Sequence, residues 1–187
     1  MNQQAVVVGG SMAGLLAART LADHFARVTI IERDALPDSP DWRSGVPQAR
    51  HAHALLARGQ AIMEELFPGL TEELTAYGSP RMELGYDGRY CTPGGWIKRF
   101  HSGQYTNLVN RTSFEWHIRK RLCALPNVSI LEEHAVDSLL TDPQRQTVTG
   151  VLAKQRKTQA AQEIQADLVV DASGRNSQAP EWLQAIG

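Results

Sequence analysis

The sequence predicts an α/β protein with a central parallel sheet and an antiparallel β-meander, and three observations carry that expectation. The apolar run Ala5 to Val8 leads straight into the small-residue stretch Gly9, Gly10, Ser11, Met12, Ala13 and Gly14. A helical pattern follows, and then the apolar strand Val28 to Ile31 ends on the acid Glu32. Further on, short strand-like segments separated by turn signals lead to a second buried run, DLVVDASGRNS, at residues 167–177. Strand, glycine turn, helix and acid-ended strand in that order read as a βαβ unit whose strands lie parallel.

The turn also carries chemistry. Glycines between a strand and a helix let phosphate oxygens approach main-chain N–H groups at the helix N-terminus. Glu32 lies 18 positions after Gly14, where a carboxylate can accept a ribose hydroxyl, and the consequence is a dinucleotide site. The spacing departs from G-x-G-x-x-G at its second glycine, where Ser11 stands, with Gly10 beside it to supply slack. The same glycines also suit plain helix–strand packing. FAD and NAD share the adenosine diphosphate half, so this unit alone leaves both open; a phosphorylated ribose is disfavoured by the Glu32 carboxylate.

Composition excludes several classes. With 187 residues, 42% hydrophobic and 21% charged, the chain fits one globular core. A net charge of −1 offers no electrostatic footprint for nucleic acid or an anionic membrane. No apolar run reaches the roughly 18 to 20 residues of a membrane span, and the start, MNQQAVVVGG, lacks the regions of a signal peptide, so a cytoplasmic location is expected. Cys91 and Cys123 stand far apart with no metal-ligand spacing, and no metal site is expected.

Periodicity predicts a helix from Met12 to about His24, a proline-rich connection over 34–47, and a second helix from Ala49 to Leu66 stopped by Pro68-Gly69. Residues 77–103 read as short strands and loops, 105–110 as a strand, and 112–125 as a helix. Residues 127–132 are expected to lie parallel beside Val28 to Glu32. Residues 135–141, 147–155 and 162–170 read as a meander whose last member returns to the sheet. On the predicted second helix His51 and His53 would point about 200° apart, which argues against a shared ligand. One of them facing a flavin edge and a partly buried structural histidine both remain open.

The order of these pieces, with GVPQARHAHALLARGQ, NRTSFEWHIRKRL and DLVVDASGRNS in place, resembles the N-terminal FAD-binding part of the flavoprotein monooxygenase superfamily. Those are the para-hydroxybenzoate hydroxylase-like enzymes, with geranylgeranyl reductases and flavin halogenases among their relatives. The resemblance covers nearly the whole chain and implies a Rossmann-like FAD-binding fold over residues 1–187. It implies that Gly9, Gly10, Ser11, Met12, Ala13 and Gly14 line the pyrophosphate, Glu32 holds the adenosine ribose, Arg33 flanks the adenine and the Ala135-Val136 backbone meets its edge. Arg50 matches the family arginine that reaches the pyrophosphate or flavin side, or is a solvated helix-start residue. Arg111 matches the arginine between strand and helix that faces the cofactor, or serves a structural salt bridge. In the second fingerprint Asp171, Ala172 and Gly174 are implied at the cofactor, although Ser173 stands where the family places its aspartate.

In the family a substrate domain and a third flavin motif follow this point, so the chain is expected to be an incomplete FAD-binding domain, the remainder as a separate chain being one reading of it. The implied function is an FAD-dependent oxidoreductase, a monooxygenase with NADH or NADPH as electron donor and a small aromatic or other activated organic substrate. An isoprenoid reductase and a non-catalytic FAD- or ADP-binding module are the alternatives. No catalytic residue is identified.

Overall fold

The computed structural model describes residues 3–43, 45–51 and 53–187, without the side chains of residues 47, 50 and 54. The chain forms two compact units, residues 1–47 with 118–187, and residues 48–117. The first begins with β1 (Gln4–Val8), α1 (Met12–Ala22) and β2 (Arg27–Ile31). The second holds β3 (His53–Ala54), α2 (Ala57–Leu66), α3 (Leu70–Ala76), β4 (Arg81–Glu83), β5 (Cys91–Thr92), β6 (Gly95–Trp96) and β7 (Tyr105–Val109). The division falls within α4 (Arg111–Cys123). The first unit then resumes with β8 (Val128–Leu131), β9 (His134–Thr141), β10 (Val148–Gln155), β11 (Ala161–Gln165), β12 (Leu168–Asp171) and α5 (Ala179–Ile186).

In the first unit four parallel strands lie in the order β12-β1-β2-β8. The central strand β1 is covered on both faces, and Ala5, Val6 and Val7 are fully buried, which is why it reads as an unbroken apolar run. Helix α1 turns Leu15 and Ala18 inward. Its Gly14 is required by proximity: a Cβ there would stand 1.8 Å from the Gly9 carbonyl oxygen and 3.4 Å from Val7 Cγ1. The antiparallel meander β9-β10-β11 contributes Val136, Val151, Ala153 and Ile164 to a core that also holds Val6, Val8, Ile31 and Trp182.

The strand expected over 162–170 is two strands, because the chain changes sheets at Ala166-Asp167. Asp167 secures the return: its backbone N–H donates to the Gln4 carbonyl (2.8 Å) and its carboxylate accepts the Gln4 N–H (2.8 Å). β12 then runs parallel to β1, and β8 lies parallel to β2, as the sequence indicates.

The second unit corrects one expectation. No helix starts at Ala49: residues 47–50 form a 3-10 turn, His53 and Ala54 pair with Val109 and Leu108, and α2 begins at Ala57. The strand pairing takes up the backbone groups a helix would need, so the helical argument about His51 and His53 lapses; His53 Nδ1 instead bonds the His51 carbonyl at 2.7 Å. Helix α3 was not apparent in the sequence. Gly69 enters it with φ +83°, and Glu64 accepts hydrogen bonds from the N–H groups of Gly69 and Thr71 and from the Thr71 hydroxyl, so Pro68-Gly69 ends one helix and starts the next.

Asn107 on β7 organises this unit. Fully buried, it exchanges hydrogen bonds with the Gln60 amide (2.9 and 3.0 Å) and donates to Thr75 Oγ1 (3.0 Å) and the Ser79 carbonyl (3.2 Å). Asn107→Ala strips partners from buried polar groups, each costing roughly 1 to 3 kcal/mol. Denaturant unfolding of the variant should show this unit destabilised by about 3 kcal/mol; an unchanged midpoint would contradict the network.

Candidate functional site

The site forms at the C-terminal edge of the parallel sheet, where α/β sheets bind ligands at the point at which the strand order reverses, here beside β1. β1 ends at Val8, and Gly9 takes φ +100°, its N–H donating to the Ile31 carbonyl at 2.8 Å. A Cβ at Gly9 would stand 2.7 Å from the Ala172 carbonyl oxygen, so the first turn and the end of β12 meet only because this residue is glycine. Ser11 then caps α1 in an extended conformation (φ −90°, ψ −175°), and the first turn of the helix carries no acid to cancel its positive end.

Glu32 follows β2 at the next strand edge. Its Oε2 accepts the Gly10 N–H (2.8 Å) and its Oε1 the Asp34 N–H (2.9 Å), so a carboxylate only 4% exposed is fixed at the lip of the turn. Arg43 closes over the pair. Its Nη1 lies 3.2 Å from Glu32 Oε2 and 3.3 Å from Asp34 Oδ2, and its Nη2 donates to the Gly10 carbonyl (3.2 Å). The Gly45 N–H donates to Asp34 Oδ2 at 2.8 Å.

These groups border a cleft of about 330 Å³, at the lower end of the roughly 300 to 1,000 Å³ of small-molecule sites. One wall is Gly9 and Ser11; a second is Glu32, Arg33 and Arg43. The start of β9, His134 to Val136, forms a third, and Ala172, Ser173 and Asn176 with Gln178 and Trp182 complete it. Glycine turn, acidic strand end and a third strand edge therefore face one space.

Of the residues singled out in the sequence, Gly9, Ser11, Glu32, Arg33, Ala135, Val136 and Ala172 line this cleft. Gly10, Met12, Ala13 and Gly14 build the turn and first helical turn behind it. Gly174 opens a 3-10 turn after β12. The Asp171 carboxylate is engaged by its own loop, accepting the Ser173 N–H (2.9 Å) and the Ser177 hydroxyl. Arg111, at the start of α4 in the other unit, pairs with Glu115 (3.2 Å). The Arg50 side chain lies outside the described residues.

Sequence reasoning missed Arg43, His134, Asn176, Gln178 and Trp182. The available signal for Arg43 was a lone arginine two residues before a glycine in a proline-rich connection, which spacing alone could not bring back to the turn. Among the described residues no group of three or more His, Cys, Asp or Glu could hold a metal ion, and no helix is long and apolar enough to cross a membrane.

A parallel sheet with a glycine turn and a buried carboxylate at its C-terminal edge defines the class of dinucleotide-binding domains. Residues 2–185 match the FAD-binding domain family, and the chain belongs to that family, as the resemblance implied. It is 40% identical over 202 residues to Protein Rv3254 of Mycobacterium tuberculosis, with all of this chain aligned to 41% of that protein. Among solved structures, the myxobacterial chondrochloren halogenase CndH is 23% identical with a TM-score of 0.66, over 94% of this chain and 38% of the halogenase. The p-nitrophenol 4-monooxygenase PnpA from Pseudomonas putida is 19% identical with a TM-score of 0.69, over 97% and 44%. The chain spans less than half the length of these proteins.

Two outcomes follow from this geometry. Glu32→Ala should weaken binding of adenosine by about 1 to 3 kcal/mol, the worth of a hydrogen bond to a charged group; unchanged affinity in calorimetry would remove Glu32 from the site. For Asp171, burial pushes the carboxyl up, but the hydrogen bonds from Ser173 and Ser177 outweigh it and hold the group below its usual 3.8. The stability this carboxylate gives the 172–177 loop is therefore present above about pH 3.8 and lost as pH falls through its lowered value. The Ser173 amide resonance should move in that acid range only.

Proposed function

We propose that this chain is the FAD-binding portion of an FAD-dependent oxidoreductase, a monooxygenase that draws electrons from NADH or NADPH and acts on a small aromatic or other activated organic substrate. The observation that carries the reading is the convergence of Glu32, Arg43 and the glycine turn on one cleft, in a chain of the FAD-binding domain family. The residues fit the group: a tight glycine turn that a Cβ at Gly9 or Gly14 would force open, a fixed carboxylate for a ribose diol, and a guanidinium suited to phosphate oxygens.

In this reading Gly9 to Gly14 and the N-terminus of α1 hold the pyrophosphate, with Arg43 beside them. Glu32 accepts the adenosine ribose, and Arg33, Ala135 and Val136 border the adenine. Arg50, Arg111, Asp171, Ala172 and Gly174 are proposed on the family resemblance for the flavin side, Asp171 by bracing its loop. FAD when bound supplies electron transfer and oxygen chemistry, and the protein supplies position and electrostatics. The substrate domain and the remaining flavin contacts are assigned to polypeptide corresponding to the rest of the relatives' length, continuous with this chain or separate from it.

The test is a titration of FAD into the 187-residue chain, followed by fluorescence, with ADP as competitor and NADH and NADPH oxidation assayed in parallel. Weak FAD binding displaced by ADP, with no substrate-coupled oxidation, is expected. FAD that ADP fails to displace would refute the site. A tightly held yellow flavin with substrate-stimulated turnover would refute the assignment of the remaining contacts to other polypeptide.

A further inference from the structure

We propose that Asp34 is a positioning residue that sets Arg43 as a clamp for diphosphate, and so decides how strongly the site prefers a nucleoside diphosphate to a nucleoside. The inference rests on the reading of the cleft given above and concerns a residue that does not line it.

Asp34 sits two residues beyond Glu32, is 7% exposed, and joins three parts of the site. Its N–H donates to Glu32 Oε1 (2.9 Å), tying it to the carboxylate that holds Gly10. Its Oδ2 accepts the Gly45 N–H (2.8 Å) and faces Arg43 Nη1 (3.3 Å). The carboxylate thus grips the returning connection both by a backbone group and by the arginine itself. Gly45 is the residue that permits this grip, because a Cβ there would stand 2.4 Å from Asp34 Oδ2.

The charge arrangement gives the grip its purpose. An arginine 7% exposed on a long connection needs opposite charge to stay desolvated, and a second anchor to keep one orientation. Glu32 alone supplies charge, but both of its oxygens already accept backbone N–H groups. Asp34 adds the second anchor and holds Nη1, while Nη2 reaches the carbonyl of Gly10 within the turn. The guanidinium is thereby placed at the point where phosphate oxygens would approach that turn, before any ligand arrives.

The experiment compares ADP with adenosine as calorimetric probes of the 187-residue chain and its variants. Asp34→Ala should weaken ADP at least tenfold while leaving adenosine within about twofold, and Asp34→Asn, which keeps an acceptor for Gly45, should lose less. Gly45→Ala should reproduce the selective loss without removing a charge. In an Arg43→Ala background Asp34→Ala should change the ADP-to-adenosine ratio no further, because it acts through that arginine. Equal losses for both probes, or an undiminished additional loss in the Arg43→Ala background, would overturn the proposal, the former showing a purely structural role. A parent chain that binds adenosine but prefers ADP by no margin overturns the clamp alone; one that binds neither overturns the reading of the cleft and the clamp with it.

Discussion

The hydrogen bond from the Gly10 N–H to the Glu32 carboxylate is the contact on which the site depends. It joins the turn after β1 to the end of β2 at a separation so short that a Cβ on Gly10 would stand 3.1 Å from both Glu32 Cβ and Oε2. A carboxylate 4% exposed loses most of its hydration, a cost of several kcal/mol unless hydrogen bonds and an opposite charge replace the water. Two backbone N–H groups and Arg43 provide that replacement. The acid is therefore held in one orientation by the fold, and a ligand meets a group that needs no rearrangement.

The same turn explains why Ser11 is tolerated where a glycine is usual. Only Gly9 adopts a left-handed backbone, with φ +100°, while Ser11 is extended and open to any side chain. Closeness to the neighbouring elements is demanded at Gly9 and Gly14, where a Cβ would collide with backbone oxygens. The steric work of the motif has been kept at its first and last glycines, and the middle position is released to a residue that precedes the first turn of the helix and borders the cleft.

Much of this was legible in the sequence for identifiable reasons. β1 is buried on both faces and leaves a solid apolar run; α1 buries one face and leaves a helical stripe; Glu32 lies at a distance fixed by one helix and one strand. What escaped depends on tertiary contacts. His53 and Ala54 are extended because β7 pairs with them, against a local pattern that reads as helix. Arg43 reaches the turn through ion pairs with Glu32 and Asp34, an arrangement to which no periodicity corresponds. Trp182 lies on α5 and Gln178 immediately before it, beyond the second fingerprint, and nothing in their spacing points back to the cleft.

The walls of the cleft and the core are partly the same residues. Val8, Ile31, Val136 and Trp182 line the space and also belong to the apolar cluster that binds the sheet to the meander. Close-packed interiors resist local change, so the shape of this end of the cleft is set by the packing of the whole unit. Its electrostatics are set by the turn. The positive end of α1 and the Arg43 guanidinium lie towards Gly9 to Ser11, whereas the Glu32 carboxylate offers acceptors at the end of β2. A ligand with phosphate at one end and hydroxyl donors at the other is favoured in one direction only. A further phosphate on the hydroxyl side would meet the Glu32 carboxylate that the ribose hydroxyls need, and like-charge repulsion there opposes it.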